Sequence, residues 1–339
     1  MRLIKTEDAV GHVLCHDMTQ IIKDQYKDAR FRKGHVVTEE DIPVLLSMGK
    51  EHLYVWEMTS GMVHENDAAE RLLALCGQEN MIRSGVKEGK IELKAACDGV
   101  FLVDSARLVA VNSQDEVMIA TRKGGTAVRE GDKLAGMRVI PLIIEEEKLR
   151  KAEQAAGDKP LLSLKPYVRK TACIVATGGE VKKGLIKDTF TPVVIDKLKT
   201  YGIETLEVVY SGDGVENVRD AVLAMREKKP DMILCTGGMS VDPDDNTPGG
   251  IKAAGANIIA YGAPVLPGAM FLLGYFDDGM PVMGLPGCVM YAGATVFDLV
   301  LPKIAADVLV TRADLAALGE GGLCLGCKPC HYPICPFGK

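Results

Sequence analysis

The feature that most constrains this chain is the rhythm of residues 170–310, where short apolar runs alternate with helix-like stretches and each run ends in a Gly-rich loop. The runs at 171–176, 206–210, 232–235 and 281–285 read as buried strands. Thr191-Pro192 reads as the opening of a helix with Val193, Val194, Ile195 and Leu198 on its apolar face, stopped by Gly202. Further helices are expected over 215–227 and from about 291 to 307. Such alternation predicts an α/β fold: a three-layer, mostly parallel sheet with helices on both faces. Ligands of such sheets bind outside the carboxyl ends of the strands.

The loops at those ends therefore hold the candidate site. They are Thr177-Gly178-Gly179-Glu180, Ser211-Gly212-Asp213-Gly214, Thr236-Gly237-Gly238-Met239-Ser240 and Pro286-Gly287-Cys288. Paired glycines let a backbone approach a ligand closely, and bare N–H groups cradle anions. Ser240 adds a hydroxyl. Asp242, Asp244 and Asp245 repel one another unless solvated or neutralised, and their hard oxygens suit Mg²⁺. Glu180 and Asp188 flank the first loop among Lys182, Lys183 and Lys187; a carboxylate there can bind metal or polarise water, and Asp188 can instead satisfy the backbone donors of the next helix. Cys288 at a helix start reads either as a thiol of lowered pKa or, preferably, as a small apolar group beside the ligand.

The rest of the chain divides around this region. Residues 1–160 read as a mixed α+β region, with helices starting near Thr38 and over 65–76 and a β-rich part at about 91–144 that includes a run at 108–111. The α/β domain is placed at 166–311 and a Cys-rich tail at 312–339. Forty basic against forty-six acidic residues argue against a nucleic-acid partner. The uncharged stretch 253–276 is punctuated by Gly and Pro, so it reads as strands and loops rather than a membrane span. With no signal-peptide pattern after Met1, the expected location is the cytoplasm.

The four loops, in this order, resemble the molybdopterin-binding domain of molybdenum cofactor biosynthesis proteins: T-G-x-E at Thr177 to Glu180, D-T at Asp188-Thr189, G-G-x-S at Gly237 to Ser240 with Asp245 following, and L-P-G at Leu285 to Gly287. Residues 33–55 also look like the early part of the molybdopterin molybdenumtransferase family. The resemblance implies that adenylylated molybdopterin and molybdate give molybdenum cofactor and AMP, with a divalent cation assisting. It implies that Thr177, Gly178, Gly179, Gly237, Gly238, Ser240, Pro286, Gly287 and Cys288 hold the cofactor. Asp245, Glu180 and Asp188 become the catalytic candidates, and Asp244 and Asp245 the metal ligands. A homo-oligomer and a recipient molybdoenzyme are the implied partners. Departures from the family pattern stand at Phe190, Asp242, Ala269-Met270 and Cys288-Val289. Asp244-Asp245-Asn246-Thr247 also looks like the D-D-x-T of competence-damage-inducible proteins, so a nucleotide pyrophosphatase is an alternative. A non-enzymatic molybdopterin carrier or sensor is another.

Ten cysteines are present, four of them in the tail as Cys324-x2-Cys327-x2-Cys330-x4-Cys335-Pro336. The run resembles that of ferredoxins with one extra residue, and an iron–sulfur cluster and a closed Zn²⁺ site, with His331 near, are both expected occupants. The tail has few apolar residues and is expected to order around its metal. Cys173 and Cys235, in predicted strands, read as packing residues.

Overall fold

In a computed structural model of the chain, the described residues are 2–22, 26–55, 61–182, 184, 185, 187–240, 242 and 245–339, with only the backbone described at Tyr26, Glu180 and Lys182. They form two units. The first comprises Met1–Ala96, Val103–Gly124 and Gly131–Ser163; the second comprises Cys97–Leu102, Gly125–Glu130 and Leu164–Lys339.

The first unit contains an antiparallel four-stranded sheet in the order Met81–Arg83, Ile91–Ala95, Lys133–Val139, Val117–Thr121. The helices Glu65–Leu75 and Glu146–Ala156 are joined by a two-pronged ion pair, Arg71 Nε and Nη2 donating to Glu153 at 2.7 and 2.8 Å. The expected strand at 108–111 is instead the helix Ser105–Asn112. The Asp104 carboxylate accepts from the Arg107 N–H at 3.1 Å and caps it, while Val109 lies 65% exposed, so a local cap overrides a short β-branched run.

The second unit carries the main sheet. We label its strands β1 (Thr171–Thr177), β2 (Glu204–Ser211), β3 (Met232–Thr236), β4 (Asn257–Tyr261), β5 (Leu272–Tyr275) and β6 (Pro281–Leu285). Its helices are α1 (Phe190–Lys199), α2 (Val215–Glu227), α3 (Thr247–Ala253), α4 (Val296–Ala305) and α5 (Arg312–Ala317). The strand order is β2-β1-β3-β6-β5-β4, with the first four parallel and β5 antiparallel to both of its neighbours, so that β4 again runs in the sense of the first four. Successive side chains of β1 point to opposite faces. Ala172 and Ile174 join a core with Val194 and Leu198 of α1 and the apolar residues of α4. Cys173 and Val175 join another with Val218, Val222 and Met225 of α2 and Ile251 of α3. The three-layer α/β architecture is thus present. Cys173 and Cys235 are fully buried, and burial raises both thiols, that of Cys235 to about 12.

Two helix starts differ from expectation. Helix α1 begins at Phe190, with Thr191 in its first turn, because Asp188 Oδ1 accepts from the N–H groups of Phe190 and Thr191 at 2.9 and 3.0 Å. The last long helix begins at Val296 rather than near 291. Thr295 and Asp298 form a capping box there, and residues Gly287–Met290 make only a short 3-10 turn. Residues 253–276 contribute β4, β5 and their connections. Among the described residues no helix is long and apolar enough to cross a membrane.

Candidate functional site

Strands β1, β2, β3 and β6 run parallel, so their carboxyl ends, Thr177, Ser211, Thr236 and Leu285, share one edge of the sheet. The loops beyond them are tied together in pairs. The Gly178 N–H donates to Ser211 O at 3.3 Å, and the Gly179 N–H donates to the Asp213 carboxylate at 3.0 Å, joining the first and second loops. Thr177 Oγ1 donates to Thr236 O at 2.9 Å and lies 3.1 Å from Thr247 Oγ1, which donates to Gly237 O at 2.8 Å. This joins the first loop to the third and to the start of α3. Thr189 Oγ1 donates to Met290 Sδ at 3.0 Å, joining the α1 entrance to the turn after β6.

Glycine is required at the centre of this arrangement. Gly237 has φ +82°, and a Cβ there would stand 2.4 Å from the Thr177 carbonyl oxygen; one at Gly238, φ +59°, would stand 2.6 Å from Thr247 Oγ1. The third loop is therefore pressed onto the first, and its backbone leaves no room for side chains. Ser240 is exposed, and its N–H donates to Asp245 Oδ2 at 2.8 Å, so Asp245 closes its own loop into a ring. Tyr261 on β4 reaches across to donate its hydroxyl to Met239 O at 2.8 Å.

The other candidates take these places. Asp188 is engaged as the cap of α1. Burial would raise its carboxyl, but hydrogen bonds from Thr191 and the Phe190 N–H hold it below its ordinary value. Pro286 and Gly287 lead into the 3-10 turn, with the Val289 N–H donating to Pro286 O at 3.1 Å. Cys288 is half-buried and burial raises its thiol, which corrects the option of a lowered pKa and fits a small packing group. Glu180 lies in the short helix Gly179–Lys182, its side chain outside the described set; Asp244 and Lys183 lie outside the described residues altogether. Among the described residues no three His, Cys, Asp or Glu side chains gather as a ready metal site. Cys324, Cys327, Cys330 and Cys335 stand elsewhere in the unit, around a separate cavity.

Sequence reading gave no individual role to three residues that build the site. Asp213 carried the signal of an acidic residue in a strand-end glycine loop. Thr247 is 1% exposed and bridges two loops, and its place in the D-D-x-T stretch was visible while its burial was not. Tyr261 carried no signal, since only the fold shows that β4, beyond the reversed β5, runs in the sense of the parallel strands and brings its carboxyl end to their edge.

Residues 173–306 match the family described as a probable molybdopterin binding domain. The second unit therefore carries a domain of the molybdopterin-binding class. Residues 3–57 match a second family, described as a domain of unknown function (DUF8806). A CinA-like protein of Mycobacterium tuberculosis is 33% identical over 76 residues, which is 22% of this chain and 18% of that protein. A CinA-like protein of Petrotoga mobilis is 32% identical over 76 residues, 22% of this chain and 19% of that protein. The match thus spans about a fifth of the length of these relatives. Among solved structures, the molybdopterin biosynthesis enzyme MoaB of Thermus thermophilus is 17% identical, with a TM-score of 0.35 over 40% of this chain and 91% of that one. The CinA protein of Thermoplasma acidophilum is 18% identical, with a TM-score of 0.34 over 40% of this chain and 98% of that one.

Proposed function

We propose that the second unit binds molybdopterin, in its adenylylated form, at the carboxyl edge of its parallel strands and acts in a late step of molybdenum cofactor synthesis. In that step molybdate is inserted and AMP released. The observation that carries this reading is the interlocked set of loops at one sheet edge, centred on Gly237 and Gly238 and closed by Asp245. Glycine backbone without side chains lets a phosphate approach closely, and the family match over 173–306 supports a pterin nucleotide as its owner.

Roles follow from position. The loops from Thr177 to Gly179 and from Gly237 to Ser240 hold the phosphate and pterin parts, with Pro286, Gly287 and Cys288 as the third wall. Asp245, exposed Asp242 beside it in sequence, and Asp244 offer the hard oxygens that fit Mg²⁺. Bound there, Mg²⁺ would neutralise the phosphoanhydride while AMP leaves. Glu180 is assigned as the second carboxylate of the reaction. Asp188, held by the first turn of α1, orients that helix at the site. Homo-oligomerisation and delivery to a recipient molybdoenzyme belong to the same reading.

Incubating the full chain with adenylylated molybdopterin, molybdate and Mg²⁺ tests it: AMP is expected to appear in step with cofactor. Tight pterin binding without AMP would reduce the protein to a carrier or sensor. The likeness of Asp244-Asp245-Asn246-Thr247 to the D-D-x-T of competence-damage-inducible proteins favours one competing reading, a nucleotide pyrophosphatase using Asp245. AMP released from ADP-ribose without molybdate would establish that reading instead.

A further inference from the structure

The Cys-rich tail is built into the second unit. The Leu266 N–H donates to Gly322 O and the Cys324 N–H to Leu266 O, each at 2.8 Å, which pins the start of the tail. Its end is pinned by Phe337, 3% exposed in the main core, and by the Tyr332 hydroxyl donating to Asp298 O at 2.9 Å. Two aromatic side chains thus dock the end of the tail. Between these pins, Cys324, Cys327, Cys330, Cys335 and His331 line one cavity of about 270 Å³, walled otherwise by apolar groups such as Leu325 and Ile334. Cys330 is seated against Gly293, where a Cβ would come within 2.8 Å of its Sγ.

We propose that this cavity holds a [4Fe–4S] cluster on the thiolates of Cys324, Cys327, Cys330 and Cys335. Two arguments carry it. The cysteines recur at i, i+3 and i+6, the spacing that wraps a chain around three corners of a cluster, and Cys335, one residue further on than the fourth cysteine of the ferredoxin run, lines the same cavity as they do. The space they line is about nine times the share of one water molecule, roughly 30 Å³, which is far more than one ion needs. Loading is ligand exchange with a thiolate-ligated cluster: four bonds from iron to the departing thiolates break as four bonds from iron to cysteine sulfur form, each cysteine proton leaves on a departing thiolate as free thiol, and the cluster's oxidation state is unchanged. The exposed thiols of Cys327 and Cys330 give the entry side.

The test uses the full chain purified without oxygen, then given a synthetic thiolate-ligated [4Fe–4S] cluster. The expected product is brown, with broad visible absorption and about four irons and four sulfides per chain. The double variant Cys327→Ser/Cys330→Ser, altered only at exposed positions, is expected to lose that absorption while keeping its far-ultraviolet circular dichroism. Cys97→Ser is expected to keep both, and Gly293→Ala to lower the iron content by displacing Cys330. A colourless chain with about one zinc, a chain without metal after transfer, or iron retained by the double variant would each overturn the proposal.

Discussion

Gly237 is the residue on which the site's geometry turns. A Cβ there meets the Thr177 carbonyl in a left-handed conformation, so Gly237→Ala is expected to cost about 1–3 kcal/mol and to lower the thermal midpoint. An unchanged midpoint would mean that the two loops are not pressed together. A second residue-scale effect concerns acid stability. The Asp231 carboxylate accepts from the Lys170 and Thr171 N–H groups at 2.7 and 2.9 Å and from Thr171 Oγ1 at 2.9 Å. Burial would raise its pKa, but these bonds and nearby Arg169 lower it below the ordinary 3.8. A carboxyl lowered by folding contributes stability that is complete above the unfolded value and is lost as pH falls through the folded one. The stability gap between wild type and Asp231→Asn is therefore expected to be full at neutral pH and to shrink below about pH 4 in urea titrations. A gap independent of pH would contradict this. The glycines and Asp245 were legible from sequence because few other residue types fit a strand-end anion loop. Asp231 and Tyr261 were not, because their partners come from distant parts of the chain.

Helix α4 shows what decides an element's boundary. Its apolar residues extend the pattern, but the Thr295 hydroxyl and the Asp298 carboxylate set its start, with Thr295 N–H to Asp298 Oδ2 at 2.7 Å. Thr295→Ala is expected to cost about 1 kcal/mol, read as a lower urea midpoint at unchanged slope. Asp298→Ala is expected to cost more, about 3–5 kcal/mol, because the same carboxylate pairs with Lys197 of α1 and both side chains are largely buried. Equal losses for the two variants would show that the pair contributes nothing. The order of β1, α2, β3 and β6 was readable from apolar runs closed by glycine. The helix Ser105–Asn112 was not, since four apolar residues in a row fit a strand or a helix, and the Asp104 cap decided between them.

At the scale of the whole molecule, the second unit unites three parts of the chain and takes the tail into its own core. Phe337→Ala is expected to destabilise this unit by about 3–5 kcal/mol, a cost to be measured by urea unfolding; a loss below about 1 kcal/mol would mean that the tail is not docked as described. That docking was not legible, because Tyr332 and Phe337 are isolated aromatics in a Cys-rich stretch and only the fold supplies their pocket. The central claim is that the interlocked loops form a molybdopterin site, and equilibrium titration of the full chain with molybdopterin, for wild type and Asp245→Ala, tests it most directly. Saturable binding at about one per chain, weakened at least about tenfold in the variant (about 1.4 kcal/mol), is the predicted result. No saturable binding, or equal affinity for both proteins, would contradict it.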